Sequence, residues 1–178
     1  MTHSTLAPAG IDFASVWEQG LGLDAFIAAA SPDHRALWEG IRRLHRPSAI
    51  ALTRRLPPGT RLLVLAADWC GDAVNTIPAL ANWAAEVGTE LRIIDRDSWP
   101  AVMDRYLSDG ARAIPIVIAL DPTFHELGHW GPRPLELQAW VQAHKTTMTK
   151  DERYKETRRW YARDRGETTI REVVGAVA

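Results

Sequence analysis

A buried strand that leads directly into a helix is the feature that most constrains the fold of this chain. The unbroken apolar run at residues 62–67 is typical of a strand covered on both faces. After Gly71 the apolar residues take a helical spacing and continue to Val87, which predicts a helix of about four turns. Cys70, the only cysteine in the 178-residue chain, therefore lies where this helix begins.

The position of Cys70 suggests a chemical role for its thiol. The free amides and the dipole at a helix N-terminus favour negative charge, so a thiol there can have a pKa of roughly 3.5 to 7.5 instead of about 8.5. We therefore expect Cys70 to be a nucleophile at neutral pH. The alternative is a small buried apolar residue, because free cysteines are among the most buried residues in proteins.

The residues around Cys70 resemble the active site of the thioredoxin family. Residues 69–73 read Trp-Cys-Gly-Asp-Ala, similar to the family's Trp-Cys-Gly-Pro-Cys, and Pro78 matches its helix-kinking proline. Residues 112–115, Arg-Ala-Ile-Pro, resemble the family's cis-proline loop, which precedes a central strand and faces the cysteine. More narrowly, the chain resembles a group of bacterial thioredoxin-like proteins with one active-site cysteine. The residues that carry this narrower resemblance are Trp69, Cys70, Gly71, Asp72, Ala73, Tyr106, Leu107, Gly110, Ile114, Pro115, Trp130, Gly131, Pro132, Arg133 and Pro134.

The resemblance implies an α/β fold, in which a thioredoxin-like mixed sheet is flanked by helices. It covers residues 59–145, roughly half of the chain. Residues 1–58 are then an N-terminal helical extension, whose first ten residues are expected to be a frayed terminus, and residues 146–178 are a C-terminal helical extension.

The resemblance also implies which residues form the site around Cys70. Trp130 and Arg133 are expected to flank its sulfur, where Arg133 would favour the thiolate or bind a substrate carboxylate. The alternative for this segment is a rigid turn that starts the next helix. The other residues expected to bind substrate or support the site are Trp69, Gly71, Asp72, Arg112, Ile114 and Pro115.

Three departures from the thioredoxin pattern bear on activity. Ala73 stands where dithiol enzymes carry the resolving cysteine, so this chain cannot form an active-site disulfide by itself. Asp72 replaces a proline. Its charge opposes ionisation of Cys70. The alternative is that Asp72 is an acid in the first turn of the helix, which stabilises the helix by about 0.3 to 1 kcal/mol. Val64 stands where thioredoxins carry a buried acid, so general-base assistance from that position is absent.

The pattern outside the motif predicts further helices and strands. Residues 31–47 form a helix with Leu37, Trp38, Ile41 and Leu44 on one side. The other expected helices are two short ones within residues 11–30, a short one at 48–56, one at 98–107, one at 134–144, one at 150–165, and a last one opened by a capping box at Thr169 and Glu172. The other expected strands are 91–95, 114–120 and a hairpin strand after Asp121 and Pro122.

A competing motif lies at residues 125–129, which read His-Glu-Leu-Gly-His. On a helix, His125 and His129 could share a zinc ion, with Glu126 as the general base of a hydrolase. On a strand the two histidines are about 13 Å apart, too far for one ion. Because Gly128 interrupts the segment and a Gly-Pro pair follows it, we expect a hairpin strand with solvent-facing histidines.

Composition excludes several classes of function. The net charge of -1, with 24% charged residues, provides no basic surface for nucleic acid. No stretch of 18 apolar residues occurs, and residues 1–10 lack the features of a signal peptide, so we expect no membrane contact and a cytoplasmic location. The sequence leaves the oligomeric state open.

Two functions remain. The first is a monothiol redox protein, in which Cys70 exchanges with disulfides or oxidised thiols and an external thiol, such as glutathione or its bacterial equivalent, resolves the mixed disulfide. Its partners are protein or small-molecule thiols and disulfides, with no bound cofactor and no metal. The second is a non-catalytic binding or adaptor module that keeps the thioredoxin-like groove.

Overall fold

A four-stranded mixed sheet lies at the centre of the protein. The computed structural model describes residues 10–177, so the expectation of a frayed terminus falls outside them except at Gly10. The sheet has the order β2-β1-β3-β4, with β2 parallel to β1, β3 antiparallel to β1, and β4 antiparallel to β3. The strands are β1 (Arg61–Ala66), β2 (Glu90–Asp95), β3 (Ile116–Leu120) and β4 (Glu126–Trp130). The predicted α/β fold with a mixed sheet is confirmed.

Helices flank this sheet. The α-helices among the described residues are α1 (Phe13–Gln19), α2 (Leu23–Ala29), α3 (Pro32–Leu44), α4 (Gly71–Val87), α5 (Pro100–Met103), α6 (Leu135–Ala143), α7 (Lys150–Asp164) and α8 (Glu167–Gly175). Of these, α1 to α3 lie before the first strand and α6 to α8 after the last one. Within residues 10–177, none of the helices is both long and apolar enough to cross a membrane.

The strand and helix around Cys70 form as the sequence predicts. Every residue from Leu62 to Ala66 in β1 is buried, because the sheet neighbours of this central strand lie on both edges and helices cover its faces. Cys70 is the N-cap of α4, and Gly88 ends the helix in the left-handed conformation at a φ of 76°. The cysteine is thereby fixed at the carboxyl end of a central strand.

The N-terminal helices cover the outer edge of the sheet and hold the loop before Cys70. Leu21, between α1 and α2, forms a two-way backbone bridge with Ile93 of the edge strand β2, at 2.8 and 2.7 Å. Trp38 is completely buried and donates its indole N–H to the carbonyl oxygen of Asp68 at 2.7 Å. The Ser31 amide donates to the Asp68 carboxylate at 2.7 Å. These helices therefore anchor the strand–helix connection that carries the thiol.

The C-terminal helices fold back onto the same core. The indole of Trp130 donates to the Glu172 carboxylate of α8 at 2.8 Å. At Gly128 of β4, an added Cβ would come within 2.1 Å of the Ala176 carbonyl oxygen, so α8 ends directly against the strand. The contact between α8 and β4 therefore depends on a residue without a side chain.

Two predicted helices are much shorter than the pattern indicates. Residues 48–56 contain only a 3-10 turn, Ala51–Thr53, which ends where Arg54 takes an extended backbone conformation. The Ala51 carbonyl oxygen accepts from the Arg54 amide at 3.0 Å and from the buried Trp83 indole at 2.9 Å. Residues 98–107 contain only α5, because the backbone of Ser108 pairs with that of Ala111 in a turn at positive φ.

Two further details of the sequence interpretation are wrong. The capping box lies at Thr149 and Glu152, where it starts α7, whereas Thr169 is buried inside α8 behind the N-cap Gly166. In α3, Trp38 is buried but Leu37 and Leu44 are exposed. Leu37 precedes Trp38 by one residue, roughly 100° around the helix, so the two side chains cannot point the same way.

Candidate active site

The Cys70 sulfur lies between the start of α4 and the loop before β3. The Ala73 amide donates to Sγ at 3.5 Å, and the thiol in turn donates to the Ile114 carbonyl oxygen at 3.5 Å. The peptide bond between Ile114 and Pro115 is cis, as the resemblance implies. The residue is buried, with 8% of its surface exposed, and this exposed part faces a cavity. The sulfur thus lies at the start of α4 and faces the cis-proline loop.

The expectation of a lowered pKa for Cys70 is wrong in this structure. Burial raises the pKa of the thiol above its ordinary value, because a desolvated thiolate is unfavourable. The Ala73 amide and the Arg133 charge favour the thiolate, but the Asp72 carboxylate disfavours it. The helix N-terminus does act on the sulfur as expected, and the loss of hydration outweighs it.

Asp72 is the centre of a polar network beside the cysteine. Its Oδ2 lies 2.6 Å from Nη2 of Arg133, and its Oδ1 accepts a hydrogen bond from the Tyr161 hydroxyl at 3.0 Å. Arg133 also donates to Gln138 of α6 at 2.9 Å. Burial raises the pKa of Tyr161 well above its ordinary value, so this hydroxyl stays protonated and remains a donor. Asp72 therefore ties α4 to the β4–α6 loop and to α7.

Most of the predicted site residues meet around one cavity of about 460 Å³. Those that line it are Trp69, Cys70, Gly71, Asp72, Arg112, Ile114 and Arg133. Pro115 is buried next to Ile114. Neither Pro115 nor Trp130 is among the lining residues. Trp130 is buried and its indole donates to Glu172 of α8, so its support of the site stays a prediction, whereas Arg133 lines the cavity.

Two of the predicted residues have partners at the rim of this cavity. Trp69 is half exposed, and the Arg96 guanidinium lies over its ring at 4.8 Å from the centroid. Arg112 forms a two-point ion pair with Asp104, at 2.7 and 2.9 Å. A Cβ built on Gly71 would meet no atom within 4 Å, so space does not require glycine there.

Several lining residues were not expected from the sequence. Leu37 comes from α3, and Tyr154, Thr157 and Arg158 come from α7. The highly charged α7 also carries the aromatic residues Tyr154, Trp160 and Tyr161. They are the available signal in the sequence, but they do not indicate which surface the helix covers. Both extensions thus contribute side chains to the cavity.

Gly131 brings the end of β4 against the cis-proline loop. Its φ is 132°, and a Cβ built there would lie 2.2 Å from the Pro115 carbonyl oxygen. A side chain at this position would push the two loops apart. Gly131 is therefore a structural requirement of the site.

The His-Glu-Leu-Gly-His segment does not form the helix that a zinc hydrolase needs. Glu126 and His129 lie on β4, as expected for a hairpin, and His125 and His129 are solvent-facing. Glu126 accepts hydrogen bonds from Tyr106 and pairs with His129, both at 2.8 Å. Among residues 10–177, no group of three His, Cys, Asp or Glu side chains is placed to hold a metal ion.

Comparison with known proteins agrees with this fold. The sequence model described as thioredoxin matches residues 23–155, which include α2, α3 and the start of α7. A protein of unknown function from Pseudomonas aeruginosa has a crystal structure that superposes with a TM-score of 0.73 at 23% identity, covering 94% of this chain and 98% of that chain. An HIV epitope scaffold superposes with a TM-score of 0.69 at 22% identity, with the same coverage. No curated protein matches the sequence.

Proposed function

The chain belongs to the thioredoxin family, and from this premise we propose that it is a monothiol exchange protein whose reactive group is Cys70. The observation that supports this proposal most is the position of Sγ. It accepts a hydrogen bond from the Ala73 amide and donates one to the Ile114 carbonyl oxygen, and Cys70 lines a cavity. A disulfide in the cavity can approach the sulfur while the helix amide stabilises negative charge on it.

The exchange needs no second cysteine in the chain. Cys70 gives its proton to solvent, and Sγ attacks one sulfur of a disulfide; a new S–S bond forms as the old one breaks, and the other half leaves as a thiolate that takes up a proton. An external thiol such as glutathione then attacks the mixed disulfide and restores Cys70. The number of disulfide bonds does not change, so no further oxidant or reductant is required.

The raised pKa of Cys70 determines the rate of this reaction. At neutral pH only a small fraction of the protein carries the thiolate. Each thiolate is more nucleophilic than one of low pKa, which recovers part of the loss. We therefore propose slow exchange at neutral pH that accelerates as the pH rises.

The variant Cys70→Ser tests the proposal. We expect reduction of 2-hydroxyethyl disulfide by excess glutathione to fall to the uncatalysed rate in this variant, while its circular dichroism spectrum is unchanged. Ala73→Ser, which alters the neighbouring residue but retains the thiol, serves as the control. Catalysis retained in Cys70→Ser would contradict the proposal.

A second candidate function is a non-catalytic binding module, favoured by the buried thiol of raised pKa and by Ala73 in the resolving position. The cavity would then hold its ligand without covalent chemistry. This function requires that ligand binding survive the Cys70→Ser substitution and that the wild-type protein form no mixed disulfide.

The partners we propose for the exchange function are protein or small-molecule thiols and disulfides, and the protein works without a bound cofactor. A reducing cytoplasm would supply the external thiol.

A further inference from the structure

The cavity over Cys70 has a strongly positive lining. Arg96, Arg112, Arg133 and Arg158 line it together with a single carboxylate, Asp72. Its volume of about 460 Å³ is within the usual range for small-molecule sites. The lining therefore favours a small ligand that carries negative charge.

The lining arginines differ in how strongly a neighbouring carboxylate holds each of them. Arg133 is held by Asp72 in a mostly buried ion pair, with the two side chains 22% and 11% exposed. Arg96 is also mostly buried, at 20% exposed, where it pairs with Asp97 and donates to the Arg112 carbonyl oxygen at 2.9 Å. Arg112 pairs with Asp104 at the exposed rim. An exposed pair of this kind contributes only about 0 to 1 kcal/mol, so the Arg112 guanidinium can turn to a bound anion at small cost.

Arg158 is the lining arginine whose charge is not matched. Its Nε donates only to the Tyr154 carbonyl oxygen, at 3.4 Å in its own helix. Among residues 10–177 no carboxylate lies within ion-pair distance of Arg158. A ligand carboxylate would therefore meet a cation that has no competing partner.

Helix α7 also limits the size of what can reach the sulfur. Tyr154, Thr157 and Arg158 are three and four residues apart, so they share one face of the helix at the rim of the cavity. The hydrogen bond from Tyr161 to Asp72 fixes this helix beside Cys70. The cysteine is left 8% exposed, which suits a small disulfide better than one on the surface of a folded protein.

We propose that the substrate of the Cys70 site is a small disulfide that bears carboxylates, and that Arg158 binds one of them. The inference rests on the proposed exchange function and names its substrate class. In the covalent step Sγ bonds to one sulfur of this disulfide, and the other carboxylate-bearing half leaves as a thiolate and is protonated by solvent.

Three small disulfides that differ mainly in charge test this inference. They are 3,3′-dithiodipropionate, which is anionic, 2-hydroxyethyl disulfide, which is neutral, and cystamine, which is cationic. Rate constants for mixed-disulfide formation at Cys70 are measured by intact-protein mass spectrometry. We expect the anionic disulfide to react about tenfold faster than the neutral one, the cationic one to react slowest, and added salt to reduce the difference.

Two variants of α7 separate Arg158 from the overall charge of the helix. Arg158→Gln is expected to remove most of the preference for the anionic disulfide, measured as the ratio of its rate constant to that of the neutral disulfide. Arg159→Gln removes the same charge one residue away, where Arg159 pairs with Glu156 outside the cavity, and should keep the preference.

The outcomes distinguish the inference from the function on which it rests. Equal rates for the three disulfides, or equal effects of the two variants, would overturn the inference alone. Failure of all three disulfides to react would overturn the proposed exchange function and the inference together.

Discussion

Replacing Asp72 with alanine is expected to lower the free energy of unfolding by about 3 to 5 kcal/mol, because it leaves a mostly buried guanidinium without its counter-ion. The same change removes the acceptor of the Tyr161 hydroxyl, whose residue is 2% exposed. A buried donor without a partner is costly in its own right. Denaturant titration of wild type and variant measures the difference.

The substitution should also change the chemistry of Cys70. The Asp72 carboxylate raises the pKa of the thiol, while Arg133 lowers it. Without Asp72 the pKa of Cys70 falls, and alkylation by iodoacetamide at neutral pH becomes faster.

Asp151→Ala is the matched control, because Asp151 is an exposed acid in the first turn of α7, as Asp72 is in the first turn of α4. It should cost no more than about 1 kcal/mol. A similarly small cost for Asp72→Ala would show that Asp72 acts only on the helix dipole and that the network contributes little.

Gly131→Ala is the second substitution for which we expect a large effect, about 3 to 5 kcal/mol of lost stability. The φ of 132° is unfavourable for any residue with a side chain, and the new Cβ would collide with the Pro115 carbonyl oxygen. Relief of that collision moves the cis-proline loop away from the sulfur, so exchange at Cys70 should slow as well.

The control for this prediction is Gly40→Ala within α3. A Cβ at Gly40 meets no atom within 4 Å, and alanine is expected to stabilise the helix by about 0.5 to 1 kcal/mol. If Gly131→Ala were as well tolerated as this control, the contact between β4 and the cis-proline loop would be unimportant for the fold.

The sequence predicted the parts of the site that depend on local pattern. The strand before Cys70, the helix after it and the loop at Pro115 each follow from a short run of residues or a short motif. The hairpin at residues 121–130 was also predictable, because Gly128 and the following Gly-Pro pair disfavour a helix.

Contacts between distant residues were not predictable in the same way. The Tyr161 hydroxyl reaches Asp72 across 89 positions of sequence, and Trp130 reaches Glu172 across 42. Nothing in the local pattern indicates these partners, so the sequence does not predict Tyr161 as part of the site. The raised pKa of Cys70 is not predictable from the local pattern either, because the burial of the thiol is produced by the whole fold.

The two helical extensions have a common role in this account. Trp38 of the N-terminal helices binds the Asp68 carbonyl two residues before the cysteine, and Tyr161 of the C-terminal helices binds Asp72 two residues after it. The active-site loop is thus held from both sides.

The most direct test of the central claim is the rate of mixed-disulfide formation between Cys70 and 2-hydroxyethyl disulfide as a function of pH, with Cys70→Ser as the blank. The thiolate fraction increases with every pH unit up to the pKa of the thiol, and burial raises that pKa in Cys70. We therefore expect an adduct at Cys70 whose rate of formation rises about tenfold per pH unit and continues to rise beyond about pH 8.5, the ordinary pKa of cysteine. Absence of the adduct at every pH at which the protein is folded would contradict this claim, and would show that Cys70 is a structural residue.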